Sequence, residues 1–465
     1  MMRIFRHYIS RALLTLLIAE FLHMFWSIYL GQSLYRSLGA EDSVPLFSET
    51  IPSALVFVLV MGLIMTAMGL YERNFWNGGS DMLLRVAVSF MLGLFVVVAI
   101  YYLIPDLYIA RGAFSLAFGA AFVGVVCLRI FFFQVSKHTD VKRRLLVLGV
   151  GQQAAQIEEL ERHKTSGFSV LGYIQVHEEE TLSVPAERIL QVTTKLNDLA
   201  DQLTVDEIVV AMDDRRKGFP MDEMMDCKTD GIRISNFLTF FERQSGKIQL
   251  DALRPSNLLF AEGFQFAMIN WVFKRLFDLI TSLALLVLVL PVMLLTALAI
   301  WLEAGCRGKI LYWQTRVGLN GHPFNVVKFR SMREDAEKGG KAVWATKGDP
   351  RITRIGAIIR DTRIDELPQL YNVLRGDMSF VGPRPERPEF VAKLAKNIPF
   401  YAMRHMVKPG ITGWAQICFP YGASEEDARE KLQYDLYYIK NYSIFFDTVI
   451  LLQTVHTVFW GKSAH

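Results

Sequence analysis

Cysteine is scarce. Cys127, Cys227, Cys306 and Cys418 are the only four in 465 residues, and no two form a Cys-x-x-Cys pair. That spacing argues against a disulfide framework or a zinc knuckle and suits soluble parts held in a reducing compartment. No small-residue cleavage site follows the basic Met1–Arg11 stretch, so a removable signal peptide is not expected. Net charge is also low, at +4. Apolar residues nevertheless make up 52% of the chain and charged residues 21%, with mean hydropathy +0.26. That mixture predicts a membrane protein with substantial water-soluble parts, long enough for two or three domains.

Four apolar segments come first: Ala12–Leu30, Ile51–Leu70, Met82–Ile104 and Gly112–Phe133. Each has about the 20 residues a helix needs to cross a hydrocarbon core. Arg3, Arg6 and Arg11 precede the first, Arg73 lies between the second and third, and Lys137, Lys142, Arg143 and Arg144 follow the fourth. The other two loops hold little beyond Arg36 and Arg111. Basic residues stay on the cytoplasmic side, so both ends of an N-terminal four-helix transmembrane bundle, residues 1–136, should face the cytoplasm. Trp76, Tyr101 and Tyr102 near span ends fit interfacial anchoring.

Residues 137–262 change character. Leu145–Leu148 reads as a strand, followed by Gly149-Val150-Gly151-Gln152-Gln153-Ala154 and a polar helix to about His163. Ser169–Val176 and Glu207–Met212 read as further strands, giving an α/β Rossmann-like cytosolic domain. The glycines match a dinucleotide fingerprint with Ala154 at its third position and Glu178 as ribose-binding acid. A tight strand-to-helix turn needs glycine with or without a cofactor, so a cofactor-free reading stands beside it. An NAD-dependent sugar-modifying enzyme would require a Tyr-x-x-x-Lys pair, and none follows in this region.

A fifth apolar run, Ile280–Ile300, contains Pro291. Lys274 and Arg275 precede it, and Arg307, Lys309 and Arg316 follow it. A spanning helix would put one basic cluster on the wrong side. Proline removes a backbone hydrogen bond and clashes with the preceding turn. The segment, residues 279–301, is therefore expected to enter one leaflet, break at Leu290-Pro291 and return. A kinked span is the alternative. Ser443–Trp460, punctuated by Asp447, Gln453 and His456, fits an interfacial helix or one packed on the protein's own core.

From Gly321 to Gly410 there are 17 lysines and arginines against 10 aspartates and glutamates, a surplus of seven positive charges. Phosphates, lipid headgroups and nucleic acid would all satisfy it on charge alone. A nucleic-acid partner leaves the membrane segments and the carboxylate pair unexplained, so none is expected. Three clusters fall in this stretch: Lys328-Phe329-Arg330-Ser331-Met332-Arg333, Arg360-Asp361-Thr362-Arg363-Ile364-Asp365-Glu366-Leu367-Pro368, and Gly376-Asp377-Met378-Ser379-Phe380-Val381-Gly382-Pro383-Arg384-Pro385-Glu386. Pro368 suits the first turn of a helix reaching about Leu374, which predicts Asp365 near an N-terminal cap, where backbone N–H groups favour an anion. A purely capping aspartate and a reactive one both fit that position.

Taken in order, these motifs resemble the bacterial sugar transferase family, the polyprenol-phosphate phosphoglycosyl transferases. The likeness runs from about Asn270 to Trp460 through Lys274-Arg275…Asp278, the proline-interrupted apolar segment, the three clusters and Lys408-Pro-Gly-Ile-Thr-Gly-Trp-Ala-Gln416. Leu290-Pro291 stands where the family has Ser-Pro. The resemblance implies a C-terminal α/β catalytic domain, residues 263–465. It also implies transfer of a sugar 1-phosphate from a UDP-sugar to undecaprenyl phosphate with release of UMP, the first membrane step of exopolysaccharide, capsule or O-antigen synthesis. Asp365 would be the nucleophile, forming an aspartyl phosphosugar, and Glu366 would orient it or help hold Mg²⁺. Lys328, Arg330, Arg360 and Arg384 would contact substrate phosphates, although Lys328 also fits a plain strand-end lysine. Membrane lipid is an implied partner, in a bacterial inner membrane with the Rossmann-like and catalytic domains cytoplasmic, and the bundled spans with the Rossmann-like domain are compatible with a homodimer.

Overall fold

The computed structural model describes residues 2–4, 7–9, 11–38, 47–68, 70–71, 79–138, 142–162, 167–177, 180–191, 194–214, 218–255, 264, 268–333, 349–419, 422 and 424–460. Arg6, Arg73, Trp76 and Glu178 lie outside the described residues. The chain divides into two compact units, one formed mainly by residues 8–246 and the other by Lys247–His465.

The first unit opens with four long apolar helices, α1 (Arg11–Ser37), α2 (Phe47–Ala67), α3 (Gly79–Leu103) and α4 (Arg111–His138). All four are long and apolar enough to cross a membrane, as expected. Lipid offers no hydrophobic drive for helix pairing, so close backbone approach through small residues takes its place. Buried Ala113, Ala117 and Ala121 leave one row of α4 without bulk. Gly31 of α1 meets that row, and a Cβ there would lie 2.5 Å from the Ala117 nitrogen and 2.6 Å from the Ala113 oxygen. Two of the charges within these apolar helices, Glu20 and Arg129, are buried. Arg129 Nε pairs with Glu20 Oε1 at 2.6 Å, Arg129 Nη1 donates to the Leu70 carbonyl at 3.1 Å, and the Tyr71 hydroxyl donates to Glu20. Each charge is tolerable because the other neutralises it. They are 109 positions apart, so sequence spacing does not reveal the pair.

The same unit contains a five-stranded sheet: β1 (Arg143–Leu148), β2 (Phe168–Ile174), β3 (Ile189–Leu190), β4 (Glu207–Val210) and β5 (Arg233–Asn236). Every pairing is parallel, in the order β3-β2-β1-β4-β5. Helices α5 (Gln152–Arg162), α6 (Leu196–Gln202), α7 (Met221–Thr229) and α8 (Phe237–Ser245) connect or follow the strands. The expected Rossmann-like half is therefore present. Because strand order reverses at β1, the loops after β1 and β4 flank the crevice where such folds take ligands.

The second unit begins with α9 (Met268–Glu303), 36 residues that continue through Pro291. The expected break at Leu290-Pro291 does not appear as an end of the helix. Proline removes one donor, and the turns on either side remain helical. Leu285, Leu286 and Val289 pack on a core around Phe446 and Ile450, and Met293, Ala297 and Ile300 pack against Phe329 and Ile359. Both halves thus lie on the same unit. Much of the remaining apolar surface is bare, with Val287, Leu288 and Leu295 70%, 75% and 68% exposed.

Strands β6 (Leu311–Val317) and β7 (Pro323–Phe329) form an antiparallel hairpin. There follow α10 (Arg354–Asp361), a 3₁₀ segment (Ile364–Gln369), α11 (Leu370–Arg375), β8 (Ser379–Val381) and α12 (Pro388–Asn397). Strand β9 (Gly410–Thr412) pairs in parallel with β8, and α13 (Trp414–Cys418), α14 (Glu425–Lys440) and α15 (Ile444–Trp460) complete the unit. Of the two readings of the last helix, its first half follows the core one. Phe446 and Ile450 are fully buried, and Asp447 pairs inward with Lys274 Nζ at 3.0 Å and accepts from the Tyr438 hydroxyl at 2.8 Å.

Candidate active site

The carboxylate pair is positioned by a sharp change of direction after α10. Arg363 takes a left-handed backbone (φ 60°), and the chain enters the 3₁₀ segment that carries Asp365 and Glu366. Asp365 thus lies near a helix N-terminus, two residues past the cap at Arg363, but the helix is a 3₁₀ segment that starts earlier than expected. Pro368 falls inside the 3₁₀ segment rather than opening a helix, and the α-helical turns begin only at Leu370. Asn372, fully buried, ties this element to β7: its Oδ1 accepts from the Val327 N–H at 3.0 Å and its Nδ2 donates to the Asn325 carbonyl at 2.8 Å. The carboxylates are thereby held beside the strand that carries Lys328.

Two glycine motifs supply the opposite wall. A Cβ on Gly382 would lie 2.4 Å from the Lys408 oxygen, and one on Gly413 would lie 2.2 Å from the Gly382 oxygen. Only glycine permits this backbone contact. It brings Arg384 next to Gln416, whose Oε1 accepts from Arg384 Nη1 at 3.4 Å. Behind the loop, buried Arg404 donates to the Arg384 carbonyl at 3.0 Å, to Asp435 Oδ2 at 2.9 Å and to the Tyr401 hydroxyl at 2.6 Å. Sequence reasoning gave no role to Arg404, Gln416 or Asn372. An asparagine in an otherwise apolar helical turn was the available signal for Asn372.

The two carboxylates have different surroundings. Glu366 Oε1 accepts from Lys328 Nζ at 2.8 Å and Arg384 Nη2 at 2.7 Å, and its Oε2 faces Arg384 Nη1 at 3.5 Å. Burial opposes its charge, but Arg384 and Lys328 outweigh burial and hold its carboxyl well below the usual glutamate range. Asp365 is also buried, yet no hydrogen bond or ion pair to its carboxylate occurs among the described residues. Burial pushes its pKa up; Lys328 opposes this, the charge of Glu366 reinforces it, and Arg384 and Arg360 pull it back only in part. Of the residues expected at the site, Lys328 and Arg384 meet Glu366, and Arg360 acts on Asp365 through its charge. Arg330 does not join them; it lies past the end of β7 and lines a different groove.

The family profile described as Bacterial sugar transferase matches residues 269–461, and one described as CoA-binding domain matches 66–218. The Rhizobium leguminosarum exopolysaccharide production protein PSS is 44% identical over 189 residues, covering 40% of this chain and 94% of that protein. The chain belongs to the bacterial sugar transferase family. Two longer relatives of this member are 41% identical over 239 residues and 37% identical over 279 residues. They are the UDP-N-acetylgalactosamine-undecaprenyl-phosphate N-acetylgalactosaminephosphotransferase of Aeromonas hydrophila and the UDP-glucose:undecaprenyl-phosphate glucose-1-phosphate transferase of Klebsiella pneumoniae. The matches cover 51% and 58% of this chain, and 55% and 59% of those proteins, so it spans a little over half the length of each.

The Rossmann-like crevice has its own feature. Where a dinucleotide phosphate would meet the N-terminus of a helix, Asp213 Oδ2 accepts from the Gln152 N–H at 2.9 Å and Oδ1 from the Gln153 N–H at 3.2 Å. A Cβ on Gly151 would lie 2.1 Å from the same carboxylate, so this glycine accommodates the protein's own aspartate.

Proposed function

We propose that this protein transfers a sugar 1-phosphate from a UDP-sugar to undecaprenyl phosphate and releases UMP, through a covalent phosphosugar on Asp365. The observation that carries the reading is the asymmetry of the pair: Glu366 is matched by two cations, while the carboxylate of adjacent, buried Asp365 has no hydrogen bond or ion pair among the described residues. An Asp365 oxygen attacks the sugar-bearing phosphorus, the bond to UMP breaks, and a phosphate oxygen of the lipid then attacks the same phosphorus to free Asp365. Arg384, Lys328 and Arg360 balance the charge that develops on the equatorial oxygens. Arg404 and Asn372 act as positioning residues.

No group of three or more His, Cys, Asp or Glu side chains suited to a metal occurs among the described residues. Magnesium commonly takes one or two carboxylates and completes its shell with water and substrate phosphates, so the pair fits it in that mode. Asp365 is the better ligand, because Glu366 is already held by Lys328 and Arg384. Bound there, the ion would neutralise diphosphate charge.

We read residues 1–136, 137–262 and 263–465 as membrane bundle, Rossmann-like domain and catalytic domain, with the last two cytoplasmic. Residues 279–301 are read as re-entrant, and the basic residues at both ends of α9 and the packing of both its halves on one unit support this. The carboxylate of Asp213 at the head of α5 favours a structural role for the Rossmann-like domain over coenzyme A binding. Both a UDP-hexose and a UDP-N-acetylhexosamine remain candidate donors, given the names of the relatives. Incubation with a panel of UDP-sugars and Mg²⁺ without lipid tests the function. One donor should release UMP and add the mass of one phosphosugar to the peptide containing Asp365. An adduct on another residue, or no adduct with any donor, rejects the covalent route.

A further inference from the structure

The outer strand of the hairpin meets the surroundings of the carboxylate pair at two places. Tyr312 of β6 pairs directly opposite Lys328 of β7, so the two side chains share one face of the hairpin, and Lys328 reaches Glu366. Gln314 and Arg316 follow Tyr312 at alternate positions and lie on that same face. Arg316 Nη1 donates to the Pro385 carbonyl at 3.2 Å and faces Glu386 Oε2 at 3.5 Å, and Arg384, next to Pro385, returns to Glu366. Tyr312, Gln314 and Arg316 thus form an arc tied to Glu366 at both ends, through Lys328 at one and the Arg384 loop at the other.

The middle of the arc has a fixed polarity. Arg316 Nε and Nη2 both donate to Gln314 Oε1, at 3.0 and 2.6 Å. Arginine carries donors only, so the amide oxygen must face it, and both oxygen lone pairs are used. The amide nitrogen is the group left over. Its one hydrogen bond among the described residues is a long contact to the Tyr312 hydroxyl, at 3.4 Å. A nitrogen with two hydrogens held this way can donate to a carbonyl of a ligand and cannot accept from one. Beside it, Tyr312 is exposed. Tyr312 and Gln314 are neutral, so this part of the arc suits a flat uncharged ring with a carbonyl better than another phosphate. Gln314 stands two positions beyond the residue opposite Lys328, about 7 Å along the strand. In a nucleoside diphosphate sugar a second phosphate and a ribose separate the base from the sugar-bearing phosphorus, whereas a substituent at C2 of the sugar lies only a few bonds from it. A group this far along the strand meets the base. We infer that Gln314 selects the base of the nucleotide donor, its Nε2 donating to the O4 carbonyl of uracil while Tyr312 stacks on the ring. Cytosine carries an amino group at that position, so donor would face donor. This rests on the proposed transfer and assigns a specificity-determining residue to it.

Calorimetric titration of the full-length protein in nanodiscs with Mg²⁺ compares UMP, CMP and inorganic pyrophosphate. The protein should bind UMP roughly tenfold more tightly than CMP, the scale of one mismatched hydrogen bond. Gln314→Glu puts an acceptor where the donor was and should reduce or invert that ratio, with pyrophosphate binding unmoved. Gln314→Met keeps the length without the amide and should bring the ratio near one, which preserves the test if the first variant no longer folds. Tyr312→Leu should weaken UMP and CMP alike, roughly tenfold, by removing the stacking surface. Indifference of the unsubstituted protein to the base, or an unchanged ratio in both Gln314 variants, overturns the assignment. So does an equal loss of pyrophosphate binding, which would make Gln314 a phosphate ligand. An intact ratio with a loss confined to turnover of UDP-N-acetylhexosamines would place Gln314 at the sugar and also reject it. A base preference that moves with Gln314 in a protein releasing UMP from no donor would defeat the transfer reading alone. Normal UMP release with an unmoved preference would defeat the role of Gln314 alone.

Discussion

Arg384 lies 2.7 Å from the carboxylate of Glu366 and, with Lys328, neutralises it, while the neighbouring Asp365 makes no hydrogen bond or ion pair among the described residues. Two acidic residues adjacent in sequence thus differ in charge balance, and each should respond differently to the loss of its charge.

Asp365→Asn keeps the size but cannot readily attack phosphorus. Lipid-independent UMP release should fall roughly 10³-fold or more, the scale seen when a nucleophile is removed. Rapid-quench measurement of UMP checks this. Loss of only the lipid-dependent half would instead place Asp365 in acceptor chemistry.

Stability should move in opposite directions for the two substitutions. Burial raises the pKa of Asp365, so its contribution to stability is greatest below the ordinary aspartate value and is lost as pH rises through the folded value. Glu366 is depressed, so its contribution is present above the ordinary glutamate value and lost as pH falls through the folded one. At pH 7 Asp365→Asn should raise Tm. Glu366→Gln should lower stability by about 1–3 kcal/mol, the cost of leaving charged partners unsatisfied. Thermal unfolding of both variants in the same detergent decides, and equal shifts would refute the asymmetry.

The rate of the first half-reaction should depend on pH with a matching sign. Only ionised Asp365 attacks, and its pKa is raised above 3.8. Single-turnover UMP release should therefore rise with pH as Asp365 ionises and then level off. A rate that falls as pH rises through the acid range would remove Asp365 from that role.

Buried Lys274 joins Asp278 Oδ1 at 2.8 Å and Asp447 Oδ2 at 3.0 Å, and Asp278 also accepts from the Phe380 N–H at 3.0 Å. Lys274→Met strands two buried carboxylates and should cost about 3–5 kcal/mol. Denaturant unfolding monitored on the second unit would show it. A loss near zero would mean that the carboxylates take up protons without consequence.

Re-entry of α9 predicts that its two ends share one side of the membrane. Val272→Cys and native Cys306, in a protein lacking Cys127, should both react with an impermeant thiol reagent only when the cytoplasmic face is open. Labelling from opposite faces would establish a span. Pro291→Leu restores the missing donor and should shift the pattern towards spanning.

Much of this protein is legible from local pattern. Apolar length and the placement of arginines indicate four membrane helices, because a bilayer imposes a length and a side on any chain that crosses it. Alternating strands and glycine turns indicate the parallel sheet, and motif order indicates the transferase unit with Asp365, Glu366, Lys328 and Arg384. What local pattern cannot express is which distant groups share a space. The Glu20–Arg129 pair, the hold of Arg404 on the Arg384 carbonyl and the placing of Asp213 over the head of α5 each join positions tens of residues apart. Lys328 and Arg330, two positions apart in one motif, part company because the strand ends between them. Only the folded chain decides that Glu366 keeps the cations and Asp365 does not, because the free energy of a buried charge depends on what lies within a few ångströms of it and not on its neighbours in sequence.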